Sequence, residues 1–376
     1  MTSIGGAAQG MVDWNLAVAT ATRLVRPGPE VSRDEARAIV AELRRHAKSS
    51  EEHVRSFTKM ATDAAHDTPV LVVDRPGWVR ANVAGFREVL KPLLEKMHER
   101  RGGGAGGAML GAVGGKVTGV ELGMLLSFLA SRVLGQYETF APPTKELPGS
   151  AVGGGRLLLV APNIVHVERE LDVDPHDFRL WVCLHEETHR TQFTGVPWLR
   201  DHLEGEIQSF LGETEVDPMT VLERFREAAS ALAGNKTDRE DDDGGPSLVE
   251  IVQTPAQREI LGRLTAVMSL LEGHADFVMD GVGPDVVPSV GEIREKFQQR
   301  RAKGASRLDM ALRKLLGLDA KLRQYRDGER FVRAVVDEVG MDGFNRVWTS
   351  PNTLPTKSEI AKPADWVARV HRKADS

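Results

Sequence analysis

The residues with the most specific chemistry lie in the five-residue stretch His-Glu-Glu-Thr-His at positions 185–189. Residues four apart share one face of an α-helix, so the ring nitrogens of His185 and His189 can bind one metal ion. Glu186 directly follows the first histidine, which places its carboxylate to accept a proton from a water molecule on that metal. This spacing is typical of zinc hydrolases, and it predicts zinc as the cofactor.

The residues before this stretch indicate that the two histidines face the protein interior. Asp174 can cap the start of a helix, and Phe178 and Trp181 continue that helix with apolar side chains at helical spacing. The two histidines extend the same face. The alternatives are a surface helix with incidental histidines, or core histidines that are bonded to backbone carbonyls.

A zinc hydrolase usually needs a third protein ligand and one open position for water. Glu272 is the stronger candidate because it interrupts a largely apolar helical pattern at 264–279. A carboxylate is costly to bury there unless it is paired or binds a metal. An ion pair with Arg258 or Arg263 is the alternative role for Glu272. His202 is the other candidate ligand, if a turn brings it back towards the motif.

Two polar residues near Glu272 could support the site without binding the metal. Asp276 lies one helical turn after Glu272, so its carboxylate could accept the remaining N–H of a ligating histidine and fix the orientation of that ring. His274 is two residues from Glu272 and should point elsewhere on a regular helix. We expect His274 to be a satisfied polar residue or a group that contacts the ligands, rather than a ligand itself.

The order of these motifs resembles the gluzincin arrangement, in which a His-Glu-x-x-His helix precedes a Glu-x-x-x-Asp helix. More specifically, the sequence is similar to the DUF2342 family, a zincin-like group of zinc-dependent metalloproteases, over nearly its whole length. The matching stretches are 73–82, 133–137, 180–202, 270–276, 324–328 and 348–355. The resemblance implies a zincin-like fold and a zinc site that comprises His185, Glu186, His189 and Glu272.

The reaction that we expect is hydrolysis of an amide or related acyl bond, with peptides as the main substrate class. Zinc would lower the pKa of its water towards about 7, and Glu186 would accept the proton and later deliver it to the leaving group. Tyr325 is a candidate donor to the oxyanion, as are His274 and Arg294, and a purely structural tyrosine is the alternative. The rival functions are a non-catalytic zincin-fold binding protein that holds zinc, and Fe(II) redox chemistry at the same ligands.

Composition argues against several other classes of protein. The chain has 376 residues, 41% of them hydrophobic, which is enough for a sizeable core. Its formal net charge of −5 argues against a nucleic-acid partner. No basic segment followed by an apolar core stands at the start, so we expect no secretion signal and a cytoplasmic location. The single cysteine, Cys183, should be a buried bystander that points away from His185.

The hydropathy pattern predicts a mainly α-helical fold with a small β element. The apolar run 156–161 is the best strand candidate, and we expect it at a sheet edge beside the active-site cleft. The apolar segment 102–137 is interrupted by Lys116, Glu121 and Arg132. It therefore predicts a buried helix after a flexible glycine segment, rather than a membrane span.

Two regions are expected, which could also form one continuous domain: an N-terminal helical region at 1–150 and a zincin-like catalytic region at 151–376. Acidic and glycine residues at 233–247 predict a flexible loop between the two metal-binding helices. Ser32 should cap one of the other helices. Helical patterns occur at 14–25, 36–45, 51–65, 83–98, 220–232, 255–279, 291–303, 308–315 and 328–339.

Overall fold

The described part of the chain is mainly α-helical with one small sheet, which confirms the fold class that the sequence predicts. The computed structural model describes residues 12–60, 68–100, 105–140, 155–212, 255–303 and 318–371. In chain order the elements are α1 (Trp14–Leu24), α2 (Arg33–Thr58), β1 (Val70–Val73), α3 (Arg75–Arg100), α4 (Ala105–Ala130), β2 (Gly135–Glu138), β3 (Arg156–Val160), α5 (Ala161–Leu171), α6 (Pro175–Gly195), α7 (Pro197–Gly212), α8 (Pro255–Gly281), α9 (Val290–Lys303), α10 (Leu318–Phe344), α11 (Lys357–Ala361) and α12 (Pro363–His371). Two short 3₁₀ turns, Asn345–Trp348 and Pro351–Thr353, lie between α10 and α11.

The sheet has the strand order β1-β3-β2, so β3 is its central strand. It pairs in parallel with β1, where Val70 lies opposite Leu157, and antiparallel with β2, where Gly135 lies opposite Leu159. The predicted strand at 156–161 is therefore confirmed, but its expected edge position is wrong. Its apolar residues are fully buried, and a continuous apolar run suits a strand that is covered on both faces.

The two faces of β3 belong to two different cores. Leu158 packs with Trp78 and Leu126 under α1, α3 and α4, whereas Leu159 packs with residues of α2, α5 and α6. Strand β3 follows residue 150 in the sequence, whereas its neighbours β1 and β2 precede residue 150. The sheet therefore contains strands from both of the predicted regions. The division into regions at 1–150 and 151–376 stays a prediction.

Helix α4 confirms the helix predicted within 102–137. Its backbone is already helical at Ala105, where the sequence predicts a flexible glycine segment, and the same stretch also contains β2. Among the described residues, none of the helices combines the length and the apolar character that a membrane span requires.

Most of the other predicted helices are confirmed with longer boundaries. Helix α2 is one continuous helix that covers the predicted helix at 36–45 and extends into the predicted helix at 51–65. The Ser32 side chain caps α2 by accepting the Glu35 N–H at 3.1 Å. Helix α5 and the C-terminal helices α11 and α12 were not predicted. Three other expectations lie outside the described residues, namely the helices at 220–232 and 308–315 and the acidic loop at 233–247.

Helix α6 passes through the interior between α2 and α8, and residues on almost every side of it are buried. Phe178, Trp181 and Leu184 pack in one cluster with Leu43 of α2 and Val278 of α8. A helix that is surrounded in this way has a fixed position and rotation, because protein interiors are close-packed.

Helices α8 and α10 touch through two glycines. A Cβ atom added at Gly273 would lie 2.1 Å from the carbonyl carbon of Gly328. One added at Gly328 would lie 2.0 Å from the carbonyl oxygen of Ser269. The two backbones are therefore in direct contact. Because Gly273 directly follows Glu272, this contact also fixes where α8 places Glu272.

The change Gly273→Ala should lower the free energy of unfolding by about 3 kcal/mol, the upper end of the usual cost of overpacking, because rigid backbone occupies the space. Gly262→Ala on the same helix is the matched control, since no atom of the described residues lies within 4 Å of a Cβ added there. Helix propensity should make that change stabilising by up to about 1 kcal/mol. Urea unfolding measures the change in the free energy of unfolding for both variants. Equal changes would contradict the close contact between α8 and α10.

Candidate metal centre

Helix α6 presents His185 and His189 side by side. The helix starts as the sequence predicts, with the Asp174 side chain accepting the Asp177 N–H at 2.9 Å. The Nε2 atoms of the two histidines lie 3.2 Å apart. Their side chains are only 17% and 13% exposed. Both rings therefore face inward, and their Nε2 atoms point at a common position.

Helix α8 brings Glu272 to the two histidines despite its distance along the sequence. Its Oε2 atom lies 3.6 Å from His185 Nε2, and its Oε1 atom lies 3.7 Å from His189 Nε2. Arg263, considered as an ion-pair partner for Glu272, pairs with Glu206 at 2.9 Å. These three side chains form one of the potential metal-binding groups among the described residues.

His202, the other candidate ligand, belongs to neither of the potential metal-binding groups in the described part of the chain. It lies on α7, and its ring packs against that of Trp198 with 6.0 Å between the centroids. The turn before α7 therefore does not return His202 to the two histidines of α6.

The donor set and its spacing fit a zinc ion. Tetrahedral zinc with bonds of roughly 2.0–2.2 Å places its ligand atoms about 3.3–3.6 Å apart. The distances among His185, His189 and Glu272 are 3.2, 3.6 and 3.7 Å. Two imidazoles and one carboxylate also leave a fourth position for water, which is typical of catalytic rather than structural zinc sites.

Gln192 fixes the orientation of the His189 ring. Its Nε2 atom donates to the Leu271 carbonyl oxygen at 2.9 Å, which determines which end of the amide faces the histidine. Gln192 Oε1 therefore accepts from His189 Nδ1 at 3.0 Å, and His189 Nε2 keeps its lone pair for a metal. Gln192 was not identified from the sequence, although a polar residue one turn after His189 on a buried helix is the signal that could have found it.

Asp276 and Met279 lie against the other nitrogen of the His185 ring. Asp276 Oδ1 is 3.5 Å and Met279 Sδ is 3.1 Å from His185 Nδ1. Burial alone would lower the pKa of His185, but the Asp276 and Glu272 carboxylates outweigh it and raise that pKa to about 10. The surroundings therefore favour a positive charge at this point, which a divalent cation would provide.

His274 lies behind Gln192 and outside the cavity lining. Its Nδ1 atom accepts from Gln192 Nε2 at 3.1 Å, and its ring packs against Phe344 with 5.2 Å between the centroids. Complete burial lowers the pKa of His274 to about 3, so the ring is neutral and can act as an acceptor. His274 thus contacts the residue that orients His189, and it is not placed to donate to a substrate oxyanion.

Strand β2 lies directly against Glu186, the candidate general base. Glu186 is 6% exposed, and a Cβ atom added at Gly135 would lie 2.5 Å from Glu186 Cγ. Burial raises the pKa of Glu186 to about 7, with the attraction of His185 opposing this rise and the charge of Glu272 adding to it. A carboxyl with a pKa near 7 can both accept and release a proton at neutral pH.

A cavity of about 840 Å³ opens in front of these side chains. The cavity is lined by the two histidines, Glu186 and Glu272, by strand β2, and by apolar residues of α3, α7 and α8. Tyr137 of β2 also lines it, and its ring stacks on Phe193 with 5.4 Å between the centroids. The outer strand beside the site is therefore β2, in place of the expected β3.

Three further residues from the sequence analysis lie away from this cavity or outside the description. Arg294 forms ion pairs with Asp280 and Glu329, each at 3.0 Å, and does not line the cavity. The helix α10 contains Tyr325, but its side chain lies outside the described residues. Cys183 is buried, with Sγ 3.8 Å from a backbone carbonyl oxygen of α2, as expected of a bystander.

Comparison with known proteins identifies a matching family and a similar solved structure. The model of a zincin-like metallopeptidase family matches residues 12–367. Among solved structures, the chain is similar to one from Chloroflexus aurantiacus that is described as a "putative hydrolase with a novel fold". The two share 30% sequence identity and a TM-score of 0.68 over 96% of this chain and 99% of that chain. None of the curated proteins matches the sequence. The chain belongs to the zincin-like metallopeptidase family.

Proposed function

We propose that this protein is a zinc-dependent hydrolase that cleaves amide bonds in peptides, with His185, His189 and Glu272 holding the metal. One observation supports this proposal above all. Two imidazole Nε2 atoms and a carboxylate lie at the distances expected between the ligands of one zinc ion, next to the buried Glu186. Zinc bound there would supply a Lewis acid and lower the pKa of its water towards about 7.

Glu186 acts as the general base in this proposal. Its carboxylate accepts the proton of the attacking water and later gives it to the leaving amine. Contact with the Gly135 backbone limits where the Glu186 side chain can lie, so the carboxylate is positioned before the substrate arrives. Fixed geometry of this kind supplies much of the advantage of an enzyme over free solution.

Asp276 and Gln192 act as positioning residues. Each contacts the Nδ1 atom of one histidine, Asp276 for His185 and Gln192 for His189. A partner on Nδ1 holds the ring so that its Nε2 lone pair points at the metal position, and such partners typically contribute roughly 10- to 100-fold in affinity or activity.

The lining of the cavity supports an extended peptide as the substrate. Strand β2 pairs with β3 along one edge, and residues 135–140 line the cavity, so a substrate backbone could lie beside this strand as an additional strand. The cavity is also lined by apolar residues of α7 and α8, among them Leu203, Ile207, Leu264 and Met268. We infer a preference for bulky apolar side chains near the scissile bond.

A peptide-digestion experiment tests this proposal. Zinc-loaded protein is incubated with a mixture of peptides of varied sequence, and the products are identified by mass spectrometry. Cleavage next to bulky apolar residues should disappear when a chelator removes zinc and return when zinc is restored, and His202→Ala should behave as the unchanged protein. No cleavage by zinc-loaded protein, or equal cleavage after removal of zinc, would contradict the proposal.

A further inference from the structure

A second group of potential metal ligands lies away from the cavity, between α2 and the first turn of α6. Glu42 and His46 are one turn apart on α2, and His176 is the second residue of α6. One ligand atom from each side chain lies within 4.8 Å of the other two. None of the three lines the cavity that contains His185 and Glu272.

The His46 ring offers an unused nitrogen to this group. His46 is 7% exposed, and its Nε2 atom has no hydrogen-bond partner among the described residues. That atom lies 3.6 Å from Glu42 Oε1, which is too long for a normal hydrogen bond. A polar ring atom is costly to bury without a partner, so a ligand that takes the Nε2 lone pair would remove this cost.

The spacing of the three side chains suits one small cation. His176 Nδ1 lies 2.9 Å and His46 Nε2 lies 3.6 Å from Glu42 Oε1. These values bracket the roughly 3.3 Å between neighbouring ligand atoms of tetrahedral zinc. The two rings meet edge to face, with 4.6 Å between their centroids. His176 Nδ1 is hydrogen-bonded to the Glu42 carboxylate, so a metal ion bound there would take the place of the shared proton.

The donor types indicate which cation would fit. Arg179 pairs with Glu42 Oε2, so the other oxygen of Glu42, Oε1, is the one that lies near the two histidines. Two imidazole nitrogens with one carboxylate oxygen form a donor set for zinc or a similar transition-metal ion, rather than for calcium or magnesium, which prefer oxygen ligands.

We propose that Glu42, His46 and His176 form a second binding site for a divalent transition-metal ion, with zinc as its natural occupant. The ion joins α2 to the start of α6, the helix that carries His185 and His189. Because the His176 side chain is 63% exposed and Glu42 is shared with Arg179, this ion exchanges more readily with solution than the ion in the cavity. Its role is to tie the two helices together.

Metal counting tests the proposal. The full-length protein is dialysed against rising concentrations of free zinc, and the bound metal is measured by elemental analysis. The unchanged protein should bind two zinc ions per chain, and His176→Ala should bind one. His166→Ala is the matched control and should still bind two, because His166 is another exposed histidine that lies outside the group.

A second variant separates this site from the cavity. His185→Ala/His189→Ala should bind one zinc ion, with a raised melting temperature on addition of zinc, and its Co²⁺ form should show the visible absorption of a four-coordinate site. Adding His176→Ala to that variant should abolish all three signals, with helical content unchanged by circular dichroism. No zinc bound by His185→Ala/His189→Ala, or two zinc ions bound by His176→Ala, would overturn the proposal.

Discussion

Replacing Glu186 with glutamine should lower the rate of peptide hydrolysis by a factor of roughly 100 or more, while zinc stays bound. Glutamine has nearly the same size and can still form hydrogen bonds, but it cannot accept the proton of the attacking water. The metal ligands are untouched by this change. The experiment therefore measures the rate at saturating peptide together with the zinc content of the same sample.

Glu170→Gln is the matched control for this change. Glu170 lies on α5, pairs with Arg300 and does not line the cavity, so its replacement should leave hydrolysis within a factor of about two, as surface changes usually have small effects. If Glu186→Gln hydrolyses peptides at the rate of the unchanged protein, Glu186 is not the general base.

Replacing Glu272 with alanine should weaken zinc binding at the cavity site about as much as replacing His189 with alanine. Each change leaves only two protein ligands, and such a remnant holds zinc weakly, so the affinity should fall on the order of 100-fold or more. Competition with a coloured zinc chelator measures the loss. The His176→Ala background removes any contribution from the proposed second site.

His202→Ala and Asp276→Asn complete this series. His202 packs against Trp198 and lies outside the group of ligands, so its loss should leave the affinity unchanged. Asp276→Asn removes a charge beside His185 Nδ1, and it should cost roughly 10- to 100-fold. Strong loss of zinc with His202→Ala but not with Glu272→Ala would assign the third ligand to α7.

The juxtaposition of His185, His189 and Glu272 could be predicted because each carries a local signal. The two histidines have the spacing of one helical face, and Glu272 interrupts an apolar helix in which a carboxylate needs a partner. These signals depend on a few neighbouring residues. They can therefore be recognised in the sequence even though α6 and α8 lie far apart along the chain.

Apart from Asp276, the supporting contacts could not be predicted, because they depend on distant parts of the chain. Gln192 owes its orientation to the Leu271 carbonyl of another helix. Strand β2 has four residues, including Gly135, and no apolar alternation that marks it as a strand. The central position of β3 follows from pairing with β1 and β2, and a short apolar run alone does not determine its neighbours in a sheet.

The most direct test is the position of zinc in crystals of the zinc-loaded protein, located by anomalous diffraction at the zinc absorption edge. We expect a peak about 2.0–2.2 Å from His185 Nε2, His189 Nε2 and one oxygen of Glu272, with Glu186 beside it. A peak that is bound by His202 without Glu272, or no peak between the two helices in fully loaded crystals, would contradict the proposed metal centre.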